Sequence, residues 1–351
     1  MEAYEDTTPV CKIKVIGVGG AGNNAVNSMI EEGLRGVEFI AVNTDKQVLK
    51  MSKAHTTLAI GEKLTRGLGA GGNPAVGQKA AEETRAEIEA LLKGSDLVFI
   101  TAGMGGGTGT GAAPIIALVA REMGILTVAV VTKPFDFEGE HRIRNAEIGI
   151  SNLSKFVDTT VIVQNQKLVD KTHGGMTMVK AFKIADEVLR QGVQSITDLI
   201  VTPMFINLDF ADIEHVMRNS GIAHMGVGRA TGDDRLIQAI QQAVHSPMLE
   251  TSIKGATKII MSIKGGYDLD LHEVANCGNL IRGVVDSRCN IIFGADIDAN
   301  FNNEVQIIII ATGFARGAPA EPKFKKGDSA EDPKMVPLQL DEPAYVKKLK
   351  N

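Results

Sequence analysis

Cysteine is scarce in this chain: 351 residues hold three, Cys11, Cys277 and Cys289. An odd number at unrelated spacings builds neither a disulfide framework nor a zinc site, which points to a reducing compartment. Long apolar runs are missing as well. The purely apolar stretches are strand-length pieces such as "IIII" at 307–310, too short to span a bilayer. The opening "MEAYEDTTPV" has no apolar h-region, so no secretory signal is expected there. Nor is positive charge in excess, since 37 Lys and Arg face 42 Asp and Glu for a net −5. A general nucleic-acid binder would carry the opposite balance. The seven histidines are scattered, with no pair at the spacing of a helical metal site. No G-x-x-x-x-G-K-[ST] sequence occurs, so any phosphate site would lack the P-loop lysine.

What is present is enough apolar character, 44% of residues, for a sizeable core, and a length that suits about two domains. The first half alternates two periods. "KIKVIGV" (12–18), "VEFIAVN" (37–43), "DLVFITA" (96–102), "LTVAVVT" (126–132) and "TTVIVQN" (159–165) read as strands. Several are apolar almost without break, as strands buried on both faces of a parallel sheet are. Helical stretches lie between them: 23–33, 74–94, 112–124 and 142–156. Gly33, Gly94 and Gly124 stand at stop positions. Alternation of this kind predicts a doubly wound, mostly parallel, Rossmann-like α/β domain. A long amphipathic helix follows over 176–200, with Val179, Phe182, Ala185, Val188, Leu189, Val193, Ile196, Leu199 and Ile200 at helical spacing. A second, smaller α/β domain runs from about 221. After Phe314 the composition turns rich in Pro, Lys and acids, which predicts a disordered tail.

Three glycine-rich loops precede helices: "GVGGAGNN" (17–24), "GLGAGGNP" (67–74) and "GGGTGTGAAP" (105–114). Unpaired N–H groups and the positive end of the helix dipole make such starts phosphate sites. Pro74 and Pro114 are read as first-turn prolines. The hydroxyls of Thr108 and Thr110 are expected to help neutralise phosphate charge, with Mg²⁺. The first loop also fits G-x-G-x-x-G, with Asp45 about 20 residues on, the fingerprint of a dinucleotide oxidoreductase. That alternative leaves the later run of glycine and threonine unexplained.

"GGGTGTG" resembles the signature of the tubulin/FtsZ superfamily. "KVIGVGGAGNNAVNSMI", "NTD" (43–45), "TRGLGAGGNP" and "PFDFEGEHR" (134–142) are similar to its bacterial FtsZ family, over residues 12–316 with a tail peptide beyond. The resemblance implies a GTPase that binds GTP and GDP with Mg²⁺ held mainly by phosphates and water. It implies head-to-tail polymerisation into the filaments of a division ring in the cytoplasm, at midcell on the inner face of the membrane, without insertion into it. Its implied organisation is a flexible extension (1–11), a GTP-binding domain (12–175), a central helix (176–202), a GTPase-activating domain (203–316), a disordered linker (317–337) and a docking peptide (338–351) for membrane-tethering and regulatory division proteins.

The same resemblance assigns residues. Gly20, Ala21, Gly22, Asn23 and Asn24 are similar to a first phosphate loop, with alanine at 21 where many relatives have glycine. Asp45, then Ala70, Gly71 and Gly72, then Gly103, Gly106, Gly107, Thr108 and Gly109 match further nucleotide loops, and Thr132 and Pro134 flank them. Glu138 and Arg142 look like ribose and phosphate contacts; His141 stands where Lys or Arg is common. Asn165 and Asp186 look like guanine readers, with Phe182 against the base. An ionised carboxylate accepts from both N1–H and N2–H of guanine, whereas adenine offers an acceptor at N1. From its own surroundings in "ADEVLRQG", Asp186 reads instead as a solvated helix residue. Asn207, Asp209 and Asp212 resemble the loop that enters the next subunit's nucleotide pocket and polarises the attacking water. Their local alternative is capping, with Asp209 ahead of a helix and Asp212 in its first turn.

Overall fold

The computed structural model describes residues 11–170, 176–201, 206, 208–245, 253–285 and 288–314. Asn207, residues 1–10 of the expected extension, and the expected linker and docking peptide lie outside the described residues. The first part runs β1 (Ile13–Val18), α1 (Gly19–Glu31), β2 (Val37–Asn43), α2 (Lys46–Lys50), β3 (Thr56–Ala59), α3 (Glu62–Thr65), α4 (Pro74–Glu83) and α5 (Arg85–Leu92). It continues with β4 (Leu97–Gly103), α6 (Thr108–Glu122), β5 (Leu126–Lys133), α7 (Glu140–Leu153), β6 (Thr159–Gln164) and α8 (Asn165–Asp170). The long helix α9 (Met178–Val201) leads to α10 (Phe210–Met217), β7 (Gly221–Thr231), α11 (Arg235–Val244), β8 (Lys258–Gly265), α12 (Leu271–Arg282), β9 (Asn290–Ile297) and β10 (Glu304–Thr312).

The strands form one sheet in the order β3-β2-β1-β4-β5-β6-β7-β10-β8-β9. The first six are mutually parallel. The apolar runs explain this part, because β4 and β5 are buried on both faces. Val98, Ile100 and Ala102 join the cluster around α6, while Leu97 and Phe99 join the cluster around α1 and α9. β7 pairs with β6 through only three registered pairs, Thr159 with Gly221 to Val161 with Ala223. Beyond that seam the pairing turns antiparallel, β7 to β10 and β10 to β8. The "IIII" run lies in β10: Ile307 and Ile309 face α11 and α12, and Ile308 and Ile310 face the α9 side.

Several expectations need correction. A helix over 74–94 divides at Thr84, whose hydroxyl donates back to Ala80 O (3.1 Å) and accepts from Gly61 N–H (2.9 Å); such back-bonding competes with the helical ladder. The four-residue edge strand β3 carries too short a pattern to be read. Helices α1 and α6 begin earlier than expected, so their glycine loops form the first turns. Pro114 therefore sits inside α6 and not in its first turn, and the helical bond that its N–H would have made to Thr110 is absent. Pro74 does open α4, behind Asn73 as its cap. Gly33, Gly94 and Gly124 all take left-handed φ near +75° just past their helices. Val179, in the first turn of α9, is exposed and takes no part in the core.

Candidate functional site

The parallel strands run 3-2-1-4-5-6, so the order reverses between β1 and β4. In open α/β sheets ligands bind outside the carboxyl ends of the strands at such a reversal. The first and third glycine loops leave β1 and β4 at this point. Hypothetical Cβ atoms map the contact between loops. One on Gly19 would lie 2.9 Å from Gly109 N, one on Gly103 2.7 Å from Ala21 Cβ, and one on Gly107 2.8 Å from Ala70 Cβ. All three loops thus meet.

The glycines divide by what faces them. Those at 22, 109 and 111 serve close packing within the protein: an added Cβ would lie 2.4 Å from Thr101 O, 2.7 Å from Gly103 O and 2.0 Å from Pro74 O respectively. Gly20, Gly71, Gly72 and Gly106 have nothing within 4 Å of that position. This second group, with exposed Ala21 and Asn24, leaves backbone open to a ligand. Gly111→Ala is accordingly expected to lower stability by about 1–3 kcal/mol through overpacking, while Gly106→Ala leaves the melting temperature of the unliganded protein near that of the parent. Thermal melts of the two variants check this.

Polar side chains beneath the loops point inward. Asn23 is buried and donates to Gly17 O (2.7 Å); Asn43 Nδ2 donates to Asn23 Oδ1 (2.8 Å); Asp45 N–H donates to Asn43 Oδ1 (3.2 Å). Asp45 caps α2, accepting from Gln47 N–H (2.8 Å) and Val48 N–H (3.4 Å). Asn23 and Asp45 therefore brace the loops in the unliganded chain. Thr110 is fully buried and accepts from Gly105 N–H (2.8 Å), so the expectation that its hydroxyl meets phosphate is corrected. Thr108 is half-buried at the start of α6, with its Oγ1 2.7 Å from Thr44 Oγ1. Sequence reasoning assigned no role to Asn43 or Thr44, although both lie within the quoted "NTD".

A second group of residues follows β5 and β6. Thr132 and Pro134 are buried at the end of β5. Glu138 accepts from Phe135 N–H (2.9 Å) and from Arg142 (2.6 Å), so the two expected nucleotide contacts pair with each other here. Phe182, 41% exposed, stands edge-on to both Phe135 and Phe137. Asn165 opens α8 and is buried, yet its Oδ1 has no hydrogen-bond partner among the described residues. Asp186 on α9 is half-buried with no hydrogen bond or ion pair among the described residues. Burial alone pushes its carboxyl up to about 6. Buried acceptors without donors are costly. By contrast, burial pushes the Cys11 and Cys277 thiols up to about 12, which leaves them inert.

Asp209 and Asp212 lie elsewhere. Asp209 caps α10, accepting from Asp212 N–H (2.8 Å), as the capping alternative expects. Helix α9 starts beside Phe135, after the carboxyl end of β5, and runs about 36 Å at 1.5 Å per residue to Val201, which meets Gly36 ahead of β2. α10 then delivers Met217 to Thr159 at the start of β6. The acidic pair thus follows the far end of α9, whereas the first and third glycine loops leave the carboxyl ends of β1 and β4. Among the described residues no group of three or more His, Cys, Asp or Glu could hold a metal ion.

Two family models match the chain: the Tubulin/FtsZ family GTPase domain over residues 12–173 and the FtsZ family C-terminal domain over residues 221–315. Among solved structures, an empty FtsZ dimer from M. jannaschii is 44% identical with a TM-score of 0.82, covering 86% of this chain and 88% of that one. CetZ2 of Haloferax volcanii, a GTPγS-bound protofilament, shares the fold at 21% identity and a TM-score of 0.75, covering 87% of this chain and 94% of that one. A sheet reversing between two glycine-headed helices, joined by a long helix to a second domain, is thus shared along most of the chain, which belongs to the tubulin/FtsZ family of GTPases.

Proposed function

We propose that this protein is a self-assembling GTPase that polymerises head to tail and hydrolyses GTP to GDP between subunits, in filaments of a cell-division ring. The observation that carries this is the separation along α9 of the acidic pair from the open glycine loops. In this reading Asp209 and Asp212, which follow the far end of α9, do not serve their own chain's loops, whereas a second copy stacked end to end would bring its acids to the first copy's nucleotide. Such an interface is heterologous and does not close, so it extends into filaments. The two solved relatives, an empty dimer and a protofilament bound to GTPγS, support both the stacking and the nucleotide.

In this reading Gly20, Ala21, Asn24, Gly71, Gly72, Gly106 and the N–H groups opening α1 and α6 hold the phosphates. Asn23 and Asp45 brace those loops from behind. Asp186 and Asn165 take the guanine donors, with Phe182 along the base, and Glu138 and Arg142 open to ribose and phosphate. Mg²⁺ would supply charge neutralisation there, held mainly by the nucleotide and water, since no group of three or more His, Cys, Asp or Glu among the described residues could hold it. Phosphoryl transfer asks mainly for positioning and charge stabilisation, so a divided site makes hydrolysis depend on assembly. The test is phosphate release and light scattering with GTP and Mg²⁺ across a protein dilution series. Turnover per molecule should rise with concentration above a threshold; a rate independent of concentration at every dilution would refute the divided site.

The tail is assigned on sequence. No helix among the described residues is long and apolar enough to cross a membrane, so attachment is assigned to "LQLDEPAYVKKLK", where Leu338, Leu340, Pro343, Tyr345 and Val346 precede Lys347, Lys348 and Lys350. A chain ending at Lys334 is expected to keep GTP binding, polymerisation and hydrolysis, yet lose recruitment to vesicles carrying a membrane tether. Co-sedimentation of both forms decides it, and equal recruitment would remove the docking role.

A further inference from the structure

The "NTD" segment holds a polar contact that the assignments above leave unused. Thr44 is 1% exposed, and the one hydrogen-bond partner of its hydroxyl among the described residues is the hydroxyl of Thr108, 2.7 Å away. Its backbone carbonyl meanwhile accepts from Gly69 N–H (3.1 Å) and from the Thr65 hydroxyl (3.4 Å). One residue thus touches the start of α6 through its side chain and the second glycine loop through its backbone.

We propose that Thr44 is a positioning residue that aims the Thr108 hydroxyl at the bound nucleotide's phosphates, an inference that rests on the GTP site proposed above. A hydroxyl has one proton to donate and lone pairs to accept. Between two hydroxyls with no other partner, either can donate. A phosphate oxygen accepts only, so Thr108 must donate outward to it, and Thr44 must then donate to Thr108. The buried hydroxyl behind Thr108 polarises it in the direction that strengthens the outward bond. Were the proton arranged the other way, Thr108 would turn lone pairs toward the anion.

The experiment is a double-mutant cycle on the full chain, diluted below its polymerisation threshold and titrated separately with GDP and GTPγS. Thr44→Val removes the donor and keeps the backbone bonds to Gly69 and Thr65. It is expected to weaken binding about five- to tenfold, the scale of one net hydrogen bond, while Thr44→Ser binds as the parent does. In a Thr108→Val background the change at Thr44 should add nothing. Equal weakening in both backgrounds, or parent-like binding by Thr44→Val, overturns the relay and leaves the site reading intact. Failure of the parent to bind either nucleotide overturns both. If Thr44→Val does not fold, as judged by its melt, Thr44→Cys, a weak donor, takes its place in the cycle with the same expected and overturning outcomes.

Discussion

Asp209→Ala and Asp212→Ala are each expected to lower GTP turnover by about 10²-fold or more, the scale of removing one group that stabilises charge in a transition state, while nucleotide affinity stays at the parent value. The proposed division of the site predicts this split, because α9 stands in the chain between the glycine loops and the acidic pair. Mixing sharpens the test. A variant subunit keeps its own phosphate loops but presents a defective acidic edge to its neighbour, so added variant should depress the turnover of parent protein. Phosphate release is measured for each variant alone and for mixtures at fixed total protein. If the variants bind less GTP in proportion to their lost turnover, the acids belong to binding. If turnover in mixtures only averages the components, hydrolysis does not cross between chains. Because Asp209 also caps α10, its variant should lose about 1 kcal/mol of stability, whereas Asp212 offers no cap, and Asp212→Ala isolates the chemical effect.

Asp186→Ala is expected to weaken GTP binding by about 2–4 kcal/mol, since charge-assisted hydrogen bonds to the base would be lost and the base's donors left unpaired. Unchanged affinity for GDP would remove Asp186 from the site. The pH dependence adds an independent check. The carboxyl titrates at about 6 in the unliganded protein against an ordinary 3.8, and burial is the cause. Below the lower value both folded and unfolded chains carry the proton, and there is no cost. As pH rises between 3.8 and about 6 the unfolded chain ionises first, so the unliganded protein loses stability, and above about 6 the loss is complete. Asp186→Asn should therefore stabilise the unliganded protein at pH 7 by about 1–2 kcal/mol, discounted for partial solvent access. Nucleotide affinity should move oppositely, falling as pH drops through about 6, because a protonated carboxyl no longer accepts from both guanine donors. A pH series of melts and titrations on parent and variant measures both trends.

Most of the parallel sheet is legible in the order of the residues alone. Burial on both faces demands unbroken Val and Ile, so β1, β2, β4, β5 and β6 were legible within a residue or two. Gly33, Gly94 and Gly124 marked helix ends because only glycine takes that left-handed turn cheaply. Asp209 was legible as a cap because the Asp-x-x-Asp spacing fits one turn. These are local properties, set by a residue and its near neighbours in the chain. Tertiary structure alone decided which glycines open to a ligand and which pack against backbone, since Gly106 and Gly111 look alike in "GGGTGTG" and differ only in what a distant segment places beside them. It likewise turned Asn23 and Thr110 inward and put Thr44 behind Thr108. The physical reason is strand order. It fixes which loop ends meet in space, and contacts between loops far apart in sequence leave no periodicity in the chain to read.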